Sequence, residues 1–542
     1  MPSPKALYSS SLLEFNFVAP PLSVSPVPSF AAVPMFNTDF AIASDMGHNA
    51  YRFSISWARL FPEHGMSSPD PAGVDYYNNI FDRLEQYNIQ PLVSLFHFST
   101  PAWFWDEKNG KKGWEREDAV ELFDSFVSSV TENFGARVTH WCTLNEPMTY
   151  VFNGYMQGIF PPLEQRSIFD IGPVVKNLLL AHASAYKLIH KHGDENGFDH
   201  RVGIAKHTRA FEPLRNWSIL DRLSAKQIEN AFVWDFFDAI DTGTLKISNT
   251  DYEVDIPEIT GTQDYLGINY YGRYFVKSKL YDLSNPEILF NDPLDESQMI
   301  SDLGWSIYPH GFFKILTTSY DKYSKPIYVL ESGIADRNHD DIRRQKFIVS
   351  HLRELWNAIN YGGADIRGYM HWSLTDNFEW AEGFTARFGL VSIDYENDFE
   401  RKLYLVRKIF TKKLFNDFWN ISQNDPRRRR EGIYFSELRD INNLQVLIIG
   451  LDTRYFRSNL DKKNKLVHFI GTCFSIFFLV RLLFTLNPIN LLFALLAGYS
   501  FAWFGHFFIE KNKPATFSYP FFSLIGDYKM FYEILLGKHK IF

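Results

Sequence analysis

Cysteine is almost missing from this chain: Cys142 and Cys473 are the only two in 542 residues. They lie far apart in dissimilar contexts, so no disulfide framework is implied and a reducing, cytosolic setting is the simplest expectation. No zinc-type spacing of Cys and His occurs. An excess of positive charge is lacking too. The net charge of -8 argues against nucleic acid as a partner. The first 34 residues hold scattered Ser and Pro without a continuous apolar stretch, so no secretory signal is expected. Asn216-Trp217-Ser218 and Asn420-Ile421-Ser422 are then chance matches to a glycosylation pattern. What is abundant is aromatic, with 51 Phe and 28 Tyr. Carbohydrate sites and membrane interfaces both favour such side chains, and composition does not choose between them.

Pattern divides the chain into an irregular lead (1–35), a long alternating region (36–413), a basic linker (414–454) with Arg427–Arg430, and an apolar end (455–542). After a helix over Asp39–Gly47, strands are expected at Tyr51–Trp57, Gln90–His97, His140–Glu146, Arg201–Lys206, Asp264–Tyr271, Pro326–Glu331 and Ile366–Trp372. Helices are expected between them, near Tyr76–Tyr87, Ala119–Phe134, Ile171–His192, Ala225–Ile240, Gly311–Tyr323 and Asp341–Tyr361. Strands alternating with helices over this length predict an α/β fold, a (β/α)8 TIM barrel. An eighth strand, expected before Phe36, is not evident.

The stretch from His140 to Pro147 is an apolar strand that ends on an Asn-Glu pair closed by proline. Alone, that carboxyl reads as a helix cap. The other strand ends change the reading, because Arg52, His97, Asn269, Tyr271, Glu331 and Trp372 also fall there. In a barrel those ends converge on one rim, where the catalytic residues of such enzymes gather. Two glutamates ending different strands, with Arg, Tyr and His nearby, suit glycosidic bond cleavage, in which one carboxyl protonates the leaving oxygen and the other meets the anomeric carbon. Glu331 is the better nucleophile, since Arg52 and Tyr271 could keep it ionised. Glu146 is then the general acid, expected to have a raised pKa. Asn145 could hold a sugar 2-hydroxyl; Trp305, Trp372 and Trp380 offer flat faces to a pyranose; His97 and Glu379 offer hydroxyl ligands.

Residues 36 to about 413 resemble glycoside hydrolase family 1, the retaining β-glycosidases. The stretches that carry the resemblance are Tyr51–Trp57 (YRFSISW), Thr143–Pro147 (TLNEP), Leu266–Tyr271 (LGINYY), Gly304–Gly311 (GWSIYPHG), Val329–Gly333 (VLESG) and Tyr369–Tyr395. The resemblance implies an O-glycosyl hydrolase acting on a β-glucoside or related β-glycoside without a cofactor, with Glu146 as acid/base and Glu331 as nucleophile. It places Arg52, His97, Asn145, Asn269, Tyr271, Trp372, Glu379, Trp380 and Phe388 around the first sugar subsite. Two departures stand out. The family's usual Thr-Glu-Asn-Gly is here Leu330-Glu331-Ser332-Gly333, and the family's first strand, with its sugar-gripping glutamine, has no counterpart before Phe36. Phe15–Val18 or Phe30–Val33 could stand in for the strand, but neither supplies the glutamine. The competing reading is therefore a weak or inactive barrel kept as a binding or scaffold module.

Toward the end, Val467–Leu486 and Ile489–Ile509 are apolar runs near spanning length, separated by Asn487-Pro488. Lys462, Lys463 and Lys465 precede them and Lys511 and Lys513 follow, which predicts a hairpin with both ends cytoplasmic. The run Gly505–Phe517, with Ser523–Asp527, resembles the Mpo1-like membrane family, typified by iron-using 2-hydroxy-fatty-acid dioxygenases. That resemblance implies iron at His468 and His506, although Asn459 stands where the family usually has histidine. The expectation is a glycosidase on an internal membrane such as the endoplasmic reticulum, its barrel cytosolic and membrane lipid its partner, with a lipid-linked glycoside suggested by domain company alone.

Overall fold

The computed structural model describes residues 33–402, apart from 296, 339–340 and 397–398, together with 458–504, 528 and 532. The chain divides into two compact units, Met1–Leu438 and Arg439–Phe542.

The first unit is built on β1 (Ala50–Ser54), β2 (Gln90–Phe96), β3 (His140–Asn145), β4 (Arg201–Pro213), the small pair β5 (Thr244–Lys246) and β6 (Glu253–Asp255), β7 (Tyr265–Lys279), β8 (Asp282–Leu289), β9 (Ile327–Glu331) and β10 (Ile366–Tyr369). Seven of these form a parallel sheet in the order β1-β2-β3-β4-β7-β9-β10, and β8 adds to the far end of β7 in antiparallel fashion. All seven expected strands are present, joined by helices, in the curled parallel architecture of a TIM barrel. The helix Ala119–Phe134 has the expected bounds because Phe123, Phe126, Val127, Val130 and Phe134 repeat at helical spacing and are buried. Inside the barrel, Leu92, Cys142, Ala205, Tyr265, Tyr328 and Leu330 form one buried cluster beneath the rim.

Two elements differ from the sequence expectation, and a third feature concerns the sheet edges. Strands β4 and β7 run past the rim and stay paired as far as Pro213 and Val276; the run Arg273–Val276 is mostly aromatic and β-branched, and such residues favour a pleated ladder. The expected helix Ala225–Ile240 is broken into Ile219–Glu229 and Asp235–Thr242 by a π-helical turn at Asn230–Trp234. Among the described residues β1 and β10 pair on one side only. A cavity of about 630 Å³ lies at that seam, lined by residues 47–54 of one edge and 368–375 of the other. Phe15–Val18 and Phe30–Ala32 lie outside the described residues.

In the second unit, the helices Ser458–Thr485 and Ile489–Phe504 pack through Phe474 on Phe501 and Phe478 on Phe493. Val467–Thr485 is long and apolar enough to cross a membrane, while the second apolar helix is shorter within the described residues. Leu483, Phe484 and Phe504 are exposed. His468 is buried; His506, Arg427–Arg430 and the Gly505–Phe517 run lie outside the described residues.

Candidate active site

The Asn-Glu-Pro sequence builds a sharp corner. Asn145 ends β3, and Pro147 opens the short helix Pro147–Val151. Proline disfavours right-handed helical backbone in the residue before it, and Glu146 takes left-handed dihedrals, φ 45° and ψ 55°. A non-glycine residue there stores on the order of 1–2 kcal/mol of strain. The Glu146 side chain makes no capping hydrogen bond. Its carboxylate instead turns inward, accepting from Asn269 Nδ2 at 2.8 Å and lying 3.0 Å from His207 Nδ1.

Glu331, the last residue of β9, is the second buried carboxylate. Arg52 Nη1 donates to its Oε1 at 2.5 Å and Tyr271 Oη to its Oε2 at 2.7 Å. Arg52 also donates to Asn145 Oδ1 at 2.6 Å and to Ser94 Oγ at 2.9 Å. One guanidinium therefore links β1, β2, β3 and β9. The register helps: His207 stands beside Asn269, and Asn269 beside Glu331, on neighbouring strands. Period-two alternation sends Asn269 and Tyr271 to the same face of β7, while Tyr270 points away and donates to Tyr308 O. Among the described residues, Asn145 Nδ2 and Asn269 Oδ1 are buried without a hydrogen-bond partner. They leave one donor and one acceptor beside the two carboxylates.

The aromatic wall comes from the loops. Trp305, Trp372 and Phe388 pack with Tyr271 in one cluster. Trp372 Nε1 donates to Glu379 at 3.3 Å, and the His97 ring lies tilted against Trp372 and Trp380 at centroid distances of 6.0 and 5.4 Å. Arg52, His97, Trp372 and Trp380 also border the seam cavity. Gly333 is required because any Cβ there would collide with the Trp372 carbonyl. All twelve residues expected of the barrel site are thus on one rim.

Electrostatics correct one expectation. Burial raises both carboxyl groups, and Glu331 stays above the usual carboxylate range, with the Glu146 charge adding to burial against Arg52 and Tyr271. For Glu146, the His207 ring and the Asn269 amide outweigh burial and hold it below that range, where a raised value was expected. The hold has an identifiable origin. Arg209 Nε donates to His207 Nε2 at 3.0 Å, so that nitrogen carries no proton, and burial also disfavours the charged ring. His207 is therefore a neutral donor, and its grip on Glu146 is a hydrogen bond rather than an ion pair. Burial also raises Glu379 to about 8 and lowers His97 to about 3, so both are neutral at pH 7.

Comparison with known proteins fits this geometry. Residues 31–412 match the profile of glycosyl hydrolase family 1. The chain belongs to that family. It is an O-glycosyl hydrolase, and family 1 glycosidases need no cofactor. The family 1 barrel is 33% identical over 376 residues to a 1,4-beta-D-glucan glucohydrolase of Thermotoga neapolitana, covering 66% of this chain and 84% of the relative. It is 30% identical over 410 residues to Beta-glucosidase 25 of Oryza sativa subsp. japonica, covering 68% and 80%. Among solved structures, a beta-glycosidase from Pyrococcus horikoshii superposes with TM-score 0.62 at 35% identity, over 70% of this chain and 84% of that one. The beta-glucosidase from Thermotoga maritima in complex with deoxynojirimycin gives TM-score 0.62 at 29% identity, over 71% and 87%. Residues 453–539 match a second profile, 2-hydroxy-palmitic acid dioxygenase Mpo1-like. Among the described residues no cluster of three or more His, Cys, Asp or Glu side chains could hold a metal, and His468 is the one of the two expected iron ligands that falls within them.

Lys206, His207, Arg209 and Thr149 escaped the sequence reading. The expected strand stopped at Lys206, one residue short of His207. The Lys-His-Thr-Arg run directly after an apolar strand was the available signal.

Proposed function

We propose that the family 1 barrel hydrolyses a β-glucoside or related β-glycoside with retention, using Glu146 as acid/base and Glu331 as nucleophile. The observation that carries this is the asymmetry of the two buried carboxylates. Glu331 touches a guanidinium and a phenol, which favour a carboxylate ready to attack the anomeric carbon. Glu146 touches an amide and a neutral ring rather than a cation; in the resting cleft the shared proton favours Glu331, and the acid role of Glu146 has that proton pass to it when substrate fills the site. In the first step Glu146 gives its proton to the departing oxygen while Glu331 forms the glycosyl ester. In the second, Glu146 takes a proton from water, and water displaces Glu331. Asn145 Nδ2 and Asn269 Oδ1 supply hydroxyl contacts, and the tryptophans supply the apolar faces.

The test is a 2-deoxy-2-fluoro-β-glucoside trap on the full chain, read by mass spectrometry. Label on the peptide containing Glu331 is expected. Absence of label in folded protein, with no turnover of aryl glucosides, would leave the barrel as a binding or scaffold module.

A second element of the proposal concerns location. The apolar Val467–Thr485 helix, the exposed apolar side chains beside it and the Mpo1-like match support membrane attachment; an internal membrane, a cytosolic barrel and a membrane glycolipid substrate are the reading we propose from domain company. Turnover of glucosylated lipid in vesicles is expected at a rate comparable to soluble aryl glucosides. Cleavage of aryl glucosides alone rules the lipid substrate out.

A further inference from the structure

The strand β4 brings a second line of polar side chains behind Glu146. His207 Nδ1 faces Glu146 Oε2 at 3.0 Å and also Thr149 Oγ1 at 3.0 Å. Its other nitrogen accepts a hydrogen bond from Arg209 Nε at 3.0 Å. Arg209 is completely buried. Its guanidinium lies 4.3 Å from the Tyr274 ring and 4.3 Å from the Trp305 ring, and its two terminal nitrogens have no hydrogen-bond partner among the described residues. A buried guanidinium with both ends unpaired is unfavourable, so the one hydrogen bond it makes, through Nε, is the contact to explain.

An imidazole nitrogen that accepts a hydrogen bond cannot carry a proton. A protonated His207 would set a cation 3.0 Å from Glu146 and favour its carboxylate, which removes the general acid. We propose that Arg209 is a positioning residue: by donating to His207 it keeps that ring neutral, and so spares Glu146 a neighbouring cation that would hold it ionised when it has to act as the acid. This rests on Glu146 being the acid/base. The other groups that face the pair do not substitute for it. Lys206 is on the same strand, but its Nζ is held by the carbonyls of His207 and Phe232. Tyr271 from β7 presents its ring to His207 at 5.9 Å and donates its hydroxyl hydrogen bond to Glu331. Glu331 faces Glu146 through charge, His97 and Glu379 are neutral near pH 7, and none of the three hydrogen-bonds to His207 Nε2 among the described residues.

The test uses the full chain and two substrates, a 2,4-dinitrophenyl β-glucoside, whose leaving group needs no proton, and an alkyl β-glucoside, which does. Arg209→Lys keeps a cation between the two rings but removes the Nε donor; Arg209→Met removes both. With His207 free to protonate, the alkaline limb of kcat/KM for the alkyl glucoside is expected to move about one pH unit toward acid, with a loss of about tenfold at the original limb and a much smaller loss on the dinitrophenyl glucoside. Adding His207→Gln, a neutral donor that does not titrate, restores the limb in either background. Profiles of both Arg209 variants that superpose on the wild type overturn the proposal, as does an equal shift with and without His207→Gln. The underlying assignment is checked separately: Glu146→Ala that is not rescued by azide on the dinitrophenyl substrate sinks the acid/base reading itself, whatever Arg209 does.

Discussion

The Glu146 side and the Glu331 side of the cleft start from the same ingredient, a glutamate at the end of a buried strand, and finish as electrostatic opposites. Around Glu331 the barrel gathers a cation and a phenol, which come from β1 and β7. Around Glu146 it gathers an amide and a neutral ring, from β7 and β4. The difference teaches that role here is assigned by neighbouring strands rather than by the residue itself. It also shows why the two carboxyls cannot be treated singly: each one's charge enters the other's balance, and removing a partner on either side redistributes one proton.

The comparison breaks most completely when either carboxylate is lost. Glu331→Ala is expected to lower kcat by on the order of 10⁵-fold on every substrate. Glu146→Ala should lower it by about 10²–10⁴-fold on alkyl glucosides and far less on 2,4-dinitrophenyl glucoside, with azide yielding a β-glycosyl azide detectable by NMR. Equal losses on both substrates for Glu146→Ala would mean that the two sides are not divided as acid and nucleophile.

Arg52→Met attacks the Glu331 side without touching a carboxylate. It leaves a buried acid without its cation and Asn145 without its anchor, and breaking such a pair destabilises by about 3–5 kcal/mol. The sign for activity follows directly. Without the cation the Glu331 carboxyl rises further, so the acidic limb of kcat/KM moves to higher pH. A limb that stays in place would show that Arg52 serves Asn145 rather than Glu331.

Gly333→Ala probes the aromatic wall, because the new methyl meets the Trp372 carbonyl. We expect a loss of about 1–3 kcal/mol in chemical denaturation, together with a raised KM for aryl glucosides. Unchanged KM would separate the wall from sugar binding.

The last probe, Glu379→Gln, is read through stability against pH rather than through turnover. The Glu379 carboxyl is raised to about 8 by burial, so folded protein binds its proton more tightly than unfolded chain does. That contribution is fully present at pH values below the ordinary carboxylate range and is lost as pH rises through about 8. A neutral amide escapes the loss, so the variant should melt above the wild type near pH 8, with the gap closing toward pH 4. A constant gap would contradict burial as the cause.

Most of the barrel was legible beforehand, for reasons visible in particular segments. Ala119–Phe134 repeats its apolar residues at helical spacing, and Gln90–Phe96 and Ile327–Glu331 are short apolar runs bounded by turn signals. The two glutamates were legible because each ends such a run. The legible part thinned where pairing continued beyond the apolar core, as in β4 and β7, since ladder length depends on a partner strand. It failed at the π-helical turn Asn230–Trp234, which breaks a helix whose sequence pattern is continuous.

The Asn-Glu-Pro corner shows where the boundary lies. Sequence alone determined that a strand stops there and that an amide and a carboxyl are delivered together, because proline ends a ladder and constrains the residue before it. It also determined the seven strands, the family and the pairing of Glu146 with Glu331 as the chemistry to look for. Only tertiary structure decided what each carboxylate touches. His207 and Arg209 are more than 60 residues from Glu146 in sequence and come to it through the register of β4 with β3 and β7. Protonation follows from distances of about 3 Å between side chains, and no local pattern encodes a contact between strands so far apart in the chain.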